Sequence, residues 1–185
     1  NAHATTSTRI GQSRWPKAQP HHRYWPEQLG SRAVTNDEIA REILRASSYV
    51  VLATADADGV PWASPVWFAM EDHSELYWVS HPGARHSQNI TARPQIAMVV
   101  FNSTVAPGSG QGVYMTATAE QMTDPGAIER GIAVFSRESV RDGAKELGLD
   151  EVTLEARLRL YRASVHEYWI LDPDSPYDVR VGVRP

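Results

Sequence analysis

The tetrapeptide Asp56-Ala57-Asp58-Gly59 constrains this chain more than any other feature. It stands between two apolar runs, residues 48–55 and 60–70. An Asp-Gly step between such runs reads as a tight hairpin, because glycine takes the positive φ that the turn requires. The second run alternates. Trp62, Ser64, Val66 and Phe68 fall on one face, and Ala63, Pro65, Trp67 and Ala69 on the other. Pro61 and Pro65 remove ladder donors, which marks an edge or a bulge in that strand.

The remaining elements follow from similar signals. Thr35 and Glu38 form a capping-box pair ahead of Ile39, Ile43 and Leu44, so a helix opens there and ends near Ser47. A second hairpin turns at Asp72-His73-Ser74 into a strand over 76–80. Pro82-Gly83 leads into a short helix over 84–92, stopped before Pro94. The run Ile96-Ala97-Met98-Val99-Val100-Phe101 reads as a fully buried strand within 95–103, and another strand covers 112–121. Asp124 and Pro125 have the residue types of an N-cap and a first helical position. Ile128, Ile132 and Phe135 follow at helical spacing, and a separate helix over 137–147 is expected to end at Gly148. Strands over 158–172 and 179–183 complete the order. Six or seven antiparallel strands with peripheral helices define an α+β barrel rather than a βαβ sheet.

Residues 1–34 are polar and carry Trp15, Tyr24, Trp25 and several prolines without any helical or strand period. They read as an N-terminal arm whose aromatics dock on the barrel or on a second subunit, with the domain itself over 35–185. The chain has no cysteine, which excludes disulfides, thiolate metal sites and a cysteine nucleophile. No apolar run approaches the roughly 18 residues of a membrane helix, and the first thirty residues hold no apolar signal core, so a cytoplasmic protein without a membrane partner is expected. The net charge of −4 offers no field for a nucleic-acid backbone. His81 and His86, five apart, diverge by about 140° on a helix and match no metal-binding pattern. No Gly-rich nucleotide loop is present, and Ser64 lacks the setting of a hydrolase nucleophile.

The stretch from Val50 to Ser103, "VVLATADADGVPWASPVWFAMEDHSELYWVSHPGARHSQNITARPQIAMVVFNS", together with "GVYMTATAEQM" after it, resembles the core of the pyridoxamine 5′-phosphate oxidase-like, FMN-binding split-barrel superfamily. The likeness covers about residues 40–122 well and 157–184 more loosely. The arm and a helical insert at about 124–150 lie outside it. It implies a homodimer with FMN in a cleft between subunits. In the family the strand after the first hairpin lays its backbone beside the flavin ring, which here selects Ser64, Pro65, Val66 and Trp67, with Ala63 preceding them. The residues after the next strand grip the phosphate, here Ser80, Arg85, His86 and Ser87, with Asn89 following. Trp169, on the penultimate strand, takes the place of a ring-lining aromatic.

The phosphate reading also stands on the residues themselves. A phosphate monoester is bound by charge-assisted donors, hydroxyls and a helix N-terminus together, and residues 80–87 supply all three. Which of Arg85 and His86 is the main ligand stays open at this level. The family's Arg and Lys flanking an apolar triplet are missing from Ser64 to Ala69, and Asp172, Pro173, Asp174 and Ser175 stand where substrate-phosphate ligands follow the Trp. The expected activity is therefore an FMN-dependent oxidoreductase acting on a small molecule other than pyridoxamine phosphate. No side chain is assigned as catalytic. The alternatives are a deazaflavin-dependent reductase on the same fold, a non-catalytic flavin-binding or sensor protein, and a haem-binding split barrel with a histidine ligand.

Overall fold

The computed structural model describes residues 34–185, apart from 107, 154 and 176. The arm predicted over 1–34 therefore lies almost entirely outside the described residues. The elements run α1 (Asn36–Arg45), β1 (Tyr49–Ala55), β2 (Pro61–Trp67), β3 (Ala69–Glu71), β4 (Glu75–Ser80) and α2 (Arg85–Ala92). They continue with β5 (Gln95–Phe101), β6 (Gly112–Gln121), α3 (Pro125–Arg141), a short 3-10 turn (Leu149–Glu151), β7 (Arg159–Leu171) and β8 (Arg180–Val183).

The first hairpin forms as its sequence dictates. Gly59 has φ +86°, and the Asp56 carboxylate accepts from the backbone N–H groups of Asp58 and Val60. β1 and β2 then pair antiparallel from Tyr49 opposite Trp67 to Ala55 opposite Pro61. All strands join one antiparallel sheet in the order β2-β1-β5-β6-β7-β4-β3, with β8 against the second half of β7.

Eight strands stand where six or seven are expected, and the reason is local. The extended segment 61–71 breaks at Phe68, whose N–H donates to the Ser48 carbonyl. Before the break it pairs with β1, and after it with β4. One segment thus joins both edges of the sheet and curls it into a barrel.

The barrel interior is filled by Val50, Leu52, Val66, Leu76, Trp78, Met98, Val100, Val113, Met115 and Tyr161, with Trp78 stacked on Tyr161 at 5.5 Å. A second cluster, including Tyr77, Ile128, Ile132, Phe135 and Leu160, fixes α3 to the outside of the sheet. Gly131 is required there, because a Cβ would lie 2.8 Å from Leu160 and 2.9 Å from Tyr77.

Two sequence expectations are corrected. β5 is not buried on both faces: Ile96, Met98 and Val100 point inward, while Ala97 and Phe101 are exposed on the outer side. The apolar run reflects an uncovered outer face, not a second core. The helix expected over 137–147 is instead the end of α3, which runs unbroken to Arg141. Gly143, at φ +84°, stops it, with the Gly143 N–H donating to the Val140 carbonyl and the Ala144 N–H to that of Ser139. That is a Schellman end, and it satisfies carbonyls the helix would otherwise leave open. Among the described residues, no helix is long and apolar enough to cross a membrane.

Candidate functional site

The site is built where β2, β4 and α2 meet. Ser64 faces the barrel interior, in register with Leu52, Met98 and Met115. Ser80 ends β4, and the chain folds back through residues 81–84 so that α2 packs on β1, β2 and β6. His86 then bridges the two strands. Its Nε2 lies 2.9 Å from Ser80 Oγ and its Nδ1 3.2 Å from Ser64 Oγ. The Trp62 indole N–H donates to the same Ser64 oxygen at 3.0 Å. Burial lowers the pKa of His86 below its ordinary value, so a neutral ring, donating through one nitrogen and accepting through the other, suits this position.

Arg85 is the charged group of the cluster. Its guanidinium lies over the Trp62 ring at 4.6 Å from the centroid and 3.8 Å from the Asp56 carboxylate in the first hairpin. It occupies the first position of α2, whose N-cap is Ala84 and which no side chain caps among the described residues. A cation at the positive end of a helix is disfavoured when alone, and an uncapped helix start leaves N–H donors free for an anion.

The other residues selected from sequence fall into separate places. Ser87 and Asn89 are buried in the helix–sheet contact. The Asn89 amide donates to Thr54 Oγ1 at 2.9 Å, and Thr54 donates onward to the Trp62 carbonyl. Ser87 Oγ is buried, with the Tyr161 hydroxyl close to it. Pro65 points outward and is exposed, whereas Val66 points into the core. Trp67 packs edge-on against Phe135 of α3 at 4.7 Å, and its N–H donates to Asp142, which also accepts from Ser48. Sequence reading assigned Asp56 a turn role only and did not single out Thr54 or Asp142, because their partners lie 29 to 94 residues away or on another element.

Trp169 is not brought to this cluster within one chain. It lies opposite Tyr114, which continues through Val99 and Val51 to Pro65. Four strand spacings separate Trp169 from Pro65, about 19 Å along the sheet. Both lie on the outer face. Among the described residues, no group of three or more His, Asp or Glu side chains is placed to hold a metal ion.

A sheet curled into a barrel by one partner-switching strand, with a short helix across the strands at its mouth, is the architecture of a split barrel. The family model described as pyridoxamine 5′-phosphate oxidase matches residues 37–164, and the chain belongs to that family. No curated protein matches it in sequence. Among solved structures it resembles the haem storage protein HutZ of Vibrio cholerae, with 20% identity and a TM-score of 0.54 over 68% of this chain and 87% of that one. It also resembles a haem-binding protein of Mycobacterium smegmatis, with 15% identity and a TM-score of 0.61 over 82% and 58% of the two chains. An F420 reductase aligns with 21% identity and a TM-score of 0.52 over 69% and 94%. Identities this low carry the fold alone.

Proposed function

We propose that the protein is an FMN-dependent oxidoreductase in which the start of α2 holds the flavin phosphate. The observation that carries this reading is the uncapped N-terminus of α2 with Arg85 in its first turn. Free helix N–H groups, a guanidinium and the Ser80 hydroxyl form a donor set suited to a phosphate monoester. His86, held by two serines, is a positioning residue: it ties the phosphate end of the site to the strand that would lie beside the ring. Arg85 therefore takes the charged role that sequence left open between the two. Bound flavin would supply hydride or electron transfer, and the chain's part is to place and shield it.

A second copy would complete the cleft. The outer face of β1, β2 and β5 presents Tyr49, Ala53, Ala63, Pro65, Ala97 and Phe101 to solvent, with Tyr49 62% and Phe101 48% exposed. Such an exposed apolar sheet face favours a homodimer, in which a second copy covers it. The substrate is a small molecule, and pyridoxamine phosphate itself is not favoured because Ser64–Ala69 contains no cation.

One observation favours haem as a second reading. β7 bulges opposite Thr116 and Ala117, and the bulge presents His166 to solvent beside Thr118 Oγ1 at 2.8 Å. Bulges often re-aim a side chain at a functional site. The absorption spectrum of the purified protein, followed by titration with FMN, deazaflavin coenzyme and haem, separates the readings. Flavin binding by a dimer is the expected result. A haem band lost in His166→Ala, with no flavin affinity, would overturn it.

A further inference from the structure

Toward the end of β4 away from Ser80, the end of α1, the β3–β4 turn and the end of α3 border an open cavity of about 300 Å³. Leu44, Phe68 and Ala69 give it a buried apolar floor. Its charged and imidazole lining comprises Arg41, Arg45, Arg141, Asp72, His73 and Glu138.

These charges are not balanced in pairs. Arg141 is committed to Glu138 and to the neighbouring Asp142. The side chains of Arg41 and Arg45, one turn apart on α1, form no ion pair or hydrogen bond among the described residues. The negative end of the α1 dipole accounts for a cation in the last turn, where Arg45 sits, but not for two unpaired guanidiniums opening on one cavity. His73 Nδ1 is buried there without a hydrogen-bond partner among the described residues. Burial first, and then the nearby Arg41, hold the His73 pKa below its ordinary value, so both arginines and a neutral imidazole share one space. The turn that carries His73 is fixed from behind, since the Tyr168 hydroxyl donates to the His73 carbonyl.

We propose that this cavity binds the oxyanion of a small phosphate- or carboxylate-bearing molecule, gripped by Arg41 and Arg45, with His73 as a third polar contact. Guanidinium groups match the oxygens of both anions, and an apolar floor suits the remainder of a small organic ligand. No residue of the cavity belongs to the α2 cradle, so the inference does not rest on the flavin reading. Asp72 is the one lining carboxylate without an ion pair among the described residues, and it opposes the anion.

The test titrates the protein with inorganic phosphate and, separately, with acetate at constant ionic strength, by calorimetry and thermal shift. Saturable binding of at least one anion is expected. Arg41→Gln should weaken it on the order of tenfold, the loss of one charge-assisted contact. Asp72→Asn should tighten it roughly two- to fivefold by removing a repelling charge. Asparagine tolerates the positive φ of 48° at that position, so the variant keeps its turn. A gain of affinity is a result that structural damage does not produce. Absence of saturable binding by both anions overturns the proposal. So does Asp72→Asn binding that is unchanged or weaker, and so does a response abolished by Arg85→Ala but untouched by Arg41→Gln.

Discussion

α1 and α3 close their own N-termini with side chains, whereas α2 leaves its start open. At α1, Thr35 Oγ1 accepts from the Glu38 N–H and the Glu38 carboxylate accepts from the Thr35 N–H, with Asp37 and Glu38 in the first turn. At α3, the Asp124 carboxylate accepts from the Ala127 N–H at 2.7 Å, and Pro125 follows. At α2 the N-cap is alanine, the first turn has no acid, and its first residue is Arg85. Each of these choices at α2 disfavours the isolated helix. α1 and α3 thus carry side-chain caps that α2 lacks, and the proposed function takes that open end as the seat of an anion.

Four experiments break or sharpen that contrast, beginning with the largest expected effect. Arg85→Ala should weaken FMN binding by about 1.5–3 kcal/mol, or roughly ten- to more than hundredfold, while riboflavin binds variant and parent alike. Equal losses for both ligands would remove the phosphate from this helix. Next, Ala84→Asp gives α2 the acidic cap that α3 already has. Chemical denaturation should show a gain of about 1 kcal/mol without ligand, and fluorescence titration should show FMN affinity falling by about tenfold, because the new carboxylate occupies the same N–H groups and repels phosphate. A variant that binds FMN more tightly would contradict an anion seat at that end.

Thr35→Ala and Asp124→Ala probe the other side of the comparison. Each should cost about 1 kcal/mol in urea unfolding and leave FMN affinity unchanged. A change in affinity would mean that α1 or α3 contributes to the same site.

The smallest effect is the pH dependence of the network that holds α2. The folded-state pKa of His86 is lowered by burial, so between that value and the unfolded value of about 6.5 the unfolded chain binds the proton and the folded one does not. The stability contributed by neutral His86 is complete above about 6.5 and declines as pH falls through the lowered value. Unfolding curves across that window should show a slope, and His86→Gln should flatten it. His73, also lowered by burial, retains the remainder. A slope identical in the variant would show that His86 is not the titrating group.

Much of this architecture was legible in residues that act on their immediate neighbours. The Asp56–Gly59 turn, the Thr35 capping box, the Asp124-Pro125 helix start and the long β7 each depend on contacts within a few positions, and all appear where sequence places them. The end of α3 was also local, yet two glycines competed for it. Gly143 closes the helix because its N–H and that of Ala144 reach carbonyls of the last turn, whereas Gly148 precedes the 3-10 turn instead.

The sequence by itself determined the antiparallel strands, the helix starts and the short span, residues 80–89, from which the candidate phosphate cradle is drawn. Only the tertiary structure decided how those residues are spent. It buried Ser87 and Asn89 between helix and sheet, set both His86 nitrogens against serines 6 and 22 residues away, and laid the Arg85 guanidinium over Trp62. It also decided that the strand breaks at Phe68 to close the barrel, that β5 keeps one bare apolar face, and that Arg41, Arg45 and His73 share a cavity. The physical reason is common to all of these. Periodicity and capping encode energies over one turn or one hairpin, whereas a side chain's partner across the barrel is fixed only when curvature and register bring distant strands together.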